Sequence, residues 1–365
     1  MKIGVLTYHF SINWGAVLQC YALREALQMQ GHDAYVINFV SEEQADNIAL
    51  YRKNNNLKSV LKNVLLLPFH RQRRKRNNLF ESFVQEKMNA TKRVTNYGEF
   101  IKLQEEERFD AIFVGSDQVW NPRIKDFNDI FFLKGIKNTK KIGYAVSLGE
   151  AGYSDLLPYE GSIKTFDIVS VREESAATII RKLYDGNVLI AMDPTFLLSN
   201  SHWMELSTNN KHSGKPYSIA FFLNKEKYEQ NLASAKAFSD RNGLDMILLD
   251  MRVSKTSIKY KGVISVGPQE FLQYIGGASC VLTDSFHGTV FSILLNRPFY
   301  SINNNPNSTD TRRSELLAKF SLKKYYIPIS ALSEMFVENY DCVKVNKALE
   351  DIRIKSIELI RNMLN

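Results

Sequence analysis

The residues with the clearest chemical potential form the motif Asp284-Ser285-Phe286-His287-Gly288, which follows an apolar run and opens a helical pattern. An imidazole at such a position can bind phosphate or donate a proton near neutral pH. We therefore predict that His287 is a catalytic acid or a phosphate ligand, with Ser285 and Gly288 in the same anion site. A purely structural histidine is the alternative.

A second motif, residues 113–122, places polar side chains directly after another apolar run. Asp117 could act as a base toward a hydroxyl group, and Gln118 and Asn121 could orient that hydroxyl. The motif therefore predicts a catalytic carboxylate with two binding side chains beside it. The alternative is a network in which these side chains cap backbone groups of the loop.

A third motif places Arg172 at the end of an apolar run and at the start of a helical pattern. A guanidinium can hold a carboxylate or a phosphate through two parallel hydrogen bonds, and it stays charged at all working pH values. We predict that Arg172 binds an anionic substrate. An ion pair with Glu173 or Glu174 is the alternative.

A fourth motif, residues 8–16, contains Asn13, Trp14 and Gly15 between the first strand and the first helix. A glycine at a helix start lets a ligand approach backbone N–H groups, which favour negative charge. The motif lacks the three spaced glycines of a dinucleotide fingerprint. It predicts a binding role for these three residues, and the alternative is that Asn13 caps the helix while Trp14 lies in the core.

The elements that must position these motifs are short apolar segments alternating with longer amphipathic ones, a pattern typical of βαβ units with a parallel sheet. The strands predicted in the first half are residues 2–8, 34–39, 111–115, 141–147, 168–172 and 188–192. Those predicted in the second half are residues 217–223, 245–250, 262–266, 280–284 and 298–302. Helices are predicted for residues 16–30, 173–184 and 346–364. Open parallel sheets bind ligands beyond the carboxyl ends of their strands, so we expect the four motifs to lie there.

The length of 365 residues, 44% of them hydrophobic, exceeds what one core usually organises and predicts two domains. We expect an α/β protein with two Rossmann-like domains, residues 1–198 and 199–345, and the ligand cleft between them. Residues 197–216 form the expected connection, and residues 346–365 form an amphipathic helix that docks on a domain.

Several features bear on location and on metal binding. The apolar runs are too short to cross a bilayer, and the first residues lack the pattern of a secretory signal, so a cytoplasmic protein is expected. Cys20, Cys280 and Cys342 are widely separated, which predicts buried thiols rather than a zinc site or a disulfide framework. No metal is expected.

The formal charge of +8 favours anionic partners. The densest cations, residues 70–76, lie beside apolar side chains within residues 57–83, which could rest on an anionic membrane surface. A solvated loop or helix face is the alternative. Nucleic acid is not expected as a partner, because the cations are confined to one run and no recognised nucleic-acid module accompanies them.

Taken together, the motifs resemble those of the polysaccharide pyruvyl transferase family, over nearly the whole chain. The segments that carry the resemblance are Asn13-Trp14-Gly15-Ala16 with Leu18-Gln19, residues 115–121, residues 144–149, residues 170–173, Asp193-Pro194-Thr195 and residues 284–288. Their common order along the chain makes the resemblance specific.

The resemblance implies a GT-B-like pair of Rossmann domains, with the acceptor side in the first and the donor side in the second. It implies transfer of the carboxyvinyl unit of phosphoenolpyruvate, a co-substrate, onto a sugar to form a pyruvate ketal, with no cofactor. Arg172 and His287 are then expected to face the donor. Some better-known members carry arginine two residues before the histidine, where this chain has Ser285, so Arg312, Arg313 or Lys324 could supply the missing cation.

The acceptor implied for such an enzyme is a saccharide, expected to be polyprenyl-linked, in the synthesis of a surface polysaccharide. Two other functions stay open on the sequence: a GT-B glycosyltransferase that uses a nucleotide-sugar donor, and a non-catalytic protein that binds anions or nucleic acid. A catalytically inactive member of the family is a further possibility, for which Ser285 is the main argument.

Overall fold

The computed structural model describes residues 1–51, 53, 57–207, 214–251, 253, 258–305 and 311–365. These residues form two compact units, each built on one parallel β-sheet. The first unit comprises Met1–Leu65, Phe80–Leu198 and Ile352–Asn365, and the second comprises Leu66–Leu79 and Ser199–Asp351. The sequence prediction assigned all of residues 57–83 to the first domain, whereas Leu66–Leu79 belongs to the second unit. Residues 208–213 of the predicted connection lie outside the described residues.

The sheet of the first unit has the strand order β2-β1-β3-β4-β5-β6. Its strands are β1 (Lys2–Leu6), β2 (Asp33–Val36), β3 (Ala111–Val114), β4 (Lys140–Val146), β5 (Ile168–Val171) and β6 (Val188–Ile190). The strands predicted for this half are confirmed, but each ends one to three residues earlier than predicted. The residues that follow the last backbone pairs turn away from the sheet and form the loops that carry the polar motifs.

The sheet of the second unit has the order β11-β10-β9-β7-β8. Its strands are β7 (Tyr217–Phe221), β8 (Asp245–Leu248), β9 (Cys280–Thr283), β10 (Phe299–Asn303) and β11 (Tyr326–Pro328). The strand predicted at residues 262–266 is wrong, because only Val263 pairs, through a single bridge to Leu249. The short strand β11, which ends in a proline and pairs with β10 at the sheet edge, is absent from the sequence prediction.

Helices connect the strands and cover the sheets. In chain order they are α1 (Trp14–Met29), α2 (Glu42–Ile48), α3 (Leu57–Leu66), α4 (His70–Lys87), α5 (Tyr97–Glu107), α6 (Tyr153–Leu156), α7 (Glu160–Ile163), α8 (Glu174–Ile180), α9 (Asn200–Leu206), α10 (Tyr228–Arg241), α11 (Pro268–Gly277), α12 (Phe286–Leu294), α13 (Arg312–Lys319), α14 (Ile329–Leu332) and α15 (Cys342–Leu364). Short 3₁₀ helices are Leu67–Phe69, Asp129–Phe132, Leu157–Tyr159, Pro194–Leu197 and Lys323–Tyr325. None of the helices formed by the described residues combines the length and the hydropathy that crossing a bilayer requires.

The central strands of both sheets are buried on both faces, as parallel sheets covered by helices require. In the first unit an aromatic cluster closes the core beside β4: the ring of Trp120 stacks on Phe132 at 5.4 Å, and Phe132 stacks on Tyr159 at 4.3 Å. These contacts anchor the loop after β3, which carries the second of the polar motifs.

Candidate active site

In the first unit, the loops after β1 and β3 are joined where the strand order reverses, the usual ligand position in an open parallel sheet. Thr7 Oγ1 donates to the carbonyl oxygen of Ser116 at 2.9 Å. Gln19 Nε2 donates to Thr7 Oγ1 at 3.0 Å, and Gln19 Oε1 accepts from Ser116 N at 3.1 Å. All three residues are buried. This network fixes the backbone immediately before Asp117.

Asp117 is half-buried and has a positive φ of 67°. Its Oδ1 accepts from the backbone N–H of Gln118 at 2.9 Å, and its carbonyl oxygen accepts from Ser147 N at 3.0 Å. Burial raises the pKa of the Tyr8 phenol well above its ordinary range, and the charge of Asp117 adds to the rise. Tyr8 Oη has no hydrogen-bond partner among the described residues. The predicted base is therefore a half-exposed carboxylate with a buried phenol in its electrostatic range.

Gln118 and Asn121 form an amide pair beside Asp117. Asn121 Nδ2 donates to Gln118 Oε1 at 2.8 Å, and Asn121 Oδ1 accepts from Arg123 N at 3.1 Å. Gly149, with a φ of 56°, allows this pair to form, because a Cβ atom there would overlap Gln118 Oε1. Both polar ends of Asn121 are thus used within the loop, while Gln118 stays half-buried.

Arg172 is buried in a network of ion pairs. Its Nε lies 3.1 Å from Glu173 Oε1, and its Nη1 lies 2.6 Å from Asp193 Oδ2. Ser147 Oγ donates to the same Glu173 oxygen at 2.7 Å, and Thr195 Oγ1 donates to Asp193 Oδ1 at 2.7 Å. Of the two ion pairs left open by the sequence, the one with Glu173 forms.

The electrostatic balance around Arg172 is acidic. Burial by itself lowers the pKa of Arg172, but the carboxylates of Glu173, Asp193 and Asp117 outweigh it and raise the pKa. One guanidinium therefore faces three carboxylates. The donor-binding role of Arg172 stays a prediction, and a phosphorylated ligand would have to compete with carboxylates already in place.

The start of α1 agrees with the alternative interpretation of the fourth motif, in which Asn13 caps the helix and Trp14 lies in the core. Asn13 caps the helix, and its Oδ1 accepts from Gly15 N at 3.1 Å and from Ala16 N at 3.4 Å. The side chain of Trp14 has 0% exposure, and Gly15 is also buried. Burial of the indole does not support the acceptor-binding role predicted for Trp14, because an acceptor would first have to displace it from the core.

In the second unit, Asp284 joins the loops that follow three strands. Its Oδ1 accepts from Leu223 N at 2.6 Å, and its Oδ2 accepts from Asn224 N at 3.0 Å and from Asn304 Nδ2 at 2.8 Å. Asn231 Nδ2, on α10, reaches the same Oδ2 at 3.4 Å. These contacts span the position where β7 and β9 adjoin and the strand order reverses. Burial raises the pKa of Asp284, although the backbone N–H groups and the charge of Arg313 oppose the rise.

Ser285 and Gly288 shape the start of α12. Ser285 is the N-cap, and its Oγ accepts from Gly288 N at 3.3 Å. A Cβ atom on Gly288 would lie 2.5 Å from Thr283 Oγ1 and 3.1 Å from Phe221 Cδ1, so only glycine lets the helix sit this close to the sheet. The serine at this position is thus explained by helix capping, and the positive end of the helix dipole lies directly beside it.

His287 lies in the first turn of α12 with 7% exposure, and its ring meets Phe286 edge-on at 5.2 Å.

Arg313 Nη1 donates to the carbonyl oxygen of Ile302 at 2.7 Å, and its guanidinium lies 5.2 Å from the ring centre of Tyr326.

The cations proposed to replace a missing arginine differ in position. The charge of Arg313 acts on Asp284 and opposes the rise that burial causes in the pKa of that carboxyl. Arg312 is half-buried at the first position of α13. Lys324 is exposed and pairs with Glu338. Of these three cations, Arg313 is therefore the one whose charge acts on Asp284 in the loop after β9.

Sequence reasoning missed the residues that organise the two sites. Asp284 and Asp193 lie within the motifs, but the sequence pattern predicts no site role for either. Asn224 and Asn304 lie outside the motifs. The available signal was their position, because each follows a strand by a few residues. Among the described residues no group of three or more His, Cys, Asp or Glu side chains is arranged to hold a metal ion.

Comparison with known proteins gives a family and a fold. The family described as polysaccharide pyruvyl transferase matches residues 13–306. No curated protein is significantly similar in sequence to the chain. Among solved structures, UDP-GlcNAc 2-epimerase of Methanocaldococcus jannaschii, in complex with UDP-GlcNAc and UDP, is similar at a TM-score of 0.54 and 14% identity, covering 100% of this chain and 99% of that one.

Two further structures show the same fold. The Staphylococcus aureus MnaA–UDP structure has a TM-score of 0.52 and 14% identity, covering 100% of this chain and 98% of that one. A putative UDP-N-acetylglucosamine 2-epimerase of Listeria monocytogenes has a TM-score of 0.52 and 10% identity, covering 98% of this chain and 90% of that one. The chain therefore has the GT-B-like architecture of two parallel-sheet α/β domains.

Proposed function

Because the chain belongs to the polysaccharide pyruvyl transferase family, we propose that it transfers the carboxyvinyl unit of phosphoenolpyruvate to a sugar of a polysaccharide precursor. The product is a pyruvate ketal, and the second product is inorganic phosphate. The observation that carries this proposal is the family match over residues 13–306, which includes three of the polar motifs in full and the fourth from Asn13 onward. No cofactor is required, because phosphoenolpyruvate itself supplies the activated unit.

The proposed reaction proceeds through two additions at C2 of phosphoenolpyruvate. A proton adds to the methylene carbon, which leaves an oxocarbenium-like centre at C2. One sugar hydroxyl attacks C2 and gives up its proton; the bond from C2 to the phosphate oxygen then breaks, and phosphate leaves. The neighbouring hydroxyl attacks the regenerated cation and loses its proton, closing the ketal. The protein's task is to hold the anionic donor and to move these protons.

The loop after β9 and the start of α12 are the proposed donor-binding elements. The helix N-terminus favours an anion, Arg313 adds positive charge, and His287 stands in the first turn as the proposed acid or phosphate ligand. Arg172 is not assigned a direct donor contact here, because it already pairs with the carboxylates of Glu173 and Asp193. We assign it instead to positioning Glu173 and Asp193.

The loop after β3 provides the proposed acceptor-binding elements. Asp117 is half-exposed and has hydrogen-bond capacity beyond its contact with Gln118 N, which suits a base that accepts a hydroxyl proton. Gln118 is the proposed ligand that orients the sugar. The acidic character of this region is unfavourable for a phosphorylated donor but compatible with a neutral sugar.

The acceptor is proposed to be a polyprenyl-linked saccharide in the synthesis of a surface polysaccharide. Such a substrate is held at a bilayer, so the enzyme would work at the inner membrane surface as a peripheral protein. Residues 57–83 are the proposed contact.

Phosphate release from phosphoenolpyruvate, measured with lipid-linked galactose, mannose and N-acetylhexosamine acceptors, tests the proposal. We expect release with at least one acceptor, and a loss of at least about 100-fold in His287→Ala, the usual scale for a positioned acid. His202→Ala, in the same unit, is the matched control and should retain activity. Calorimetry with UDP, UDP-sugars and phosphoenolpyruvate tests the identity of the donor. Binding of the uridine ligands without binding of phosphoenolpyruvate would contradict the proposal and indicate a nucleotide-sugar transferase.

A further inference from the structure

Helix α3 exposes its whole apolar face. Leu57, Leu61, Val64 and Leu65 have 84%, 60%, 53% and 66% exposure, although each is a large aliphatic residue. Single exposed leucines are ordinary, but three leucines and a valine on one short helix form a continuous apolar stripe.

The stripe follows from the spacing of these residues. Positions 57, 61, 64 and 65 recur at the period of an α-helix and therefore lie on one face. On a helix that packs against its own domain this face would point inward. Here the apolar side chains face solvent, which identifies the face as a surface for a partner.

The charge of the surrounding sequence indicates the kind of partner. No aspartate or glutamate occurs from residue 47 to residue 80, and the basic run begins four residues after the end of α3. Arg71, Arg74 and Lys75 of that run are exposed on α4. An apolar stripe followed closely by cations is the composition of helices that lie in the interface of an anionic membrane.

We propose that the apolar face of α3 inserts into the headgroup region of an anionic lipid bilayer, and that the basic run that follows α3 in the sequence adds affinity for the lipid phosphates. This rests on the proposed function in one respect: a lipid-linked acceptor explains why the enzyme would dock there. The lipid chemistry itself comes from the exposed side chains alone.

Other occupants fit these observations less well. A nucleic acid would pair with the cations but would leave the leucines in water. A second copy of the chain could cover the leucines, but a symmetric contact would bring the basic runs of both copies near each other and oppose association. Of these three occupants, the anionic bilayer is the one that matches both the apolar stripe and the positive charge.

Vesicle flotation tests the proposal with the full chain and without any substrate. Phosphatidylcholine vesicles with and without phosphatidylglycerol are compared at physiological and at high salt. We expect flotation with the phosphatidylglycerol vesicles at physiological salt. Neutralising Arg71, Arg74 and Lys75 to glutamine should weaken binding by roughly 100-fold, on the basis of the contribution of each cation near an anionic surface.

The decisive variant is Leu61→Glu combined with Leu65→Glu. Both side chains are exposed, so folding is expected to be unchanged, as circular dichroism checks. The matched control is Val343→Glu combined with Ile354→Glu, which charges two exposed aliphatic positions of α15 with 83% and 53% exposure. We expect the α3 variant to lose flotation and the control variant to float like the wild type.

Two results would overturn the proposal. One is absence of flotation at physiological salt, or flotation that the α3 variant retains. The other is a dimer that the α3 variant converts to monomer, with vesicle binding unaffected, which would make the stripe a protein interface. A water-soluble acceptor separates this proposal from the proposed function: the α3 variant should still release phosphate from phosphoenolpyruvate with that acceptor, and should lose activity only with lipid-linked acceptors in vesicles.

Discussion

Replacing Arg172 by methionine separates the two interpretations of this residue. Methionine has similar length but no charge, so the carboxylates of Glu173 and Asp193 would lose their cation in a site where the arginine side chain has 4% exposure. Breaking a buried ion pair costs about 3–5 kcal/mol. Both carboxylates keep hydrogen bonds, from Ser147 and Thr195, so we expect the lower end, about 3 kcal/mol.

The assay is unfolding of the first unit in urea, with tryptophan fluorescence as the signal. Trp14 and Trp120 lie in this unit and Trp203 in the other, so a Trp203→Phe background makes the signal specific. Arg181→Met is the matched control. Its pair with Glu174 is exposed, 48% and 60%, and should contribute less than about 1 kcal/mol.

A second substitution tests the charge argument directly. Adding Glu173→Gln to Arg172→Met removes one of the uncompensated charges, so it should recover about 1–2 kcal/mol of the lost stability. The ion-pair interpretation is refuted if Arg172→Met unfolds like the wild type while its affinity for phosphoenolpyruvate, measured by calorimetry, falls by about 100-fold or more. Arg172 would then bind the donor, as the sequence pattern predicts.

Three further substitutions test local features. Gly149→Ala should destabilise the first unit by about 1–3 kcal/mol more than Gly135→Ala in urea unfolding, because both have positive φ but only Gly149 has a crowded Cβ position. Gly288→Ala should cost about 1–3 kcal/mol in the second unit, and Thr283→Ala should partly restore it if the cause is steric. Burial lowers the pKa of His9, so its folded form binds fewer protons than its unfolded form. The free energy of unfolding of the first unit should therefore fall by up to about 1.4 kcal/mol per pH unit as the pH drops below about 6.5. His9→Gln should make this free energy less dependent on pH, as unfolding measured from pH 7 to pH 5 would show.

The sequence predicts the sheets well because central parallel strands are buried on both faces and read as apolar runs. β3 and β9 illustrate this, since every residue of both strands is buried. The apolar pattern does not predict strands correctly where few residues pair. Residues 262–266 have a strand-like composition but make one bridge. The strand β11 has three residues and ends in proline. Local composition carries little information about such edges.

The candidate site could be located but not assembled from the sequence. The positions of Asp117 and His287 after strands follow from the apolar pattern alone. Asp193, the second partner of Arg172, could not be found in this way, because it is distant in sequence and reaches the guanidinium only when β5 and β6 pair. The same holds for Asp284, whose partners come from the loops after β7 and β10.

The composition of the first unit has a consequence for its biosynthesis. Ile352–Asn365 is part of this unit, and Ile360 and Met363 have 0% and 1% exposure. During translation the first sheet can form early, but the first unit lacks these residues until they have left the ribosome. The first unit would stay incomplete while Ser199–Asp351 is synthesised, so chaperone binding should be strongest in that interval.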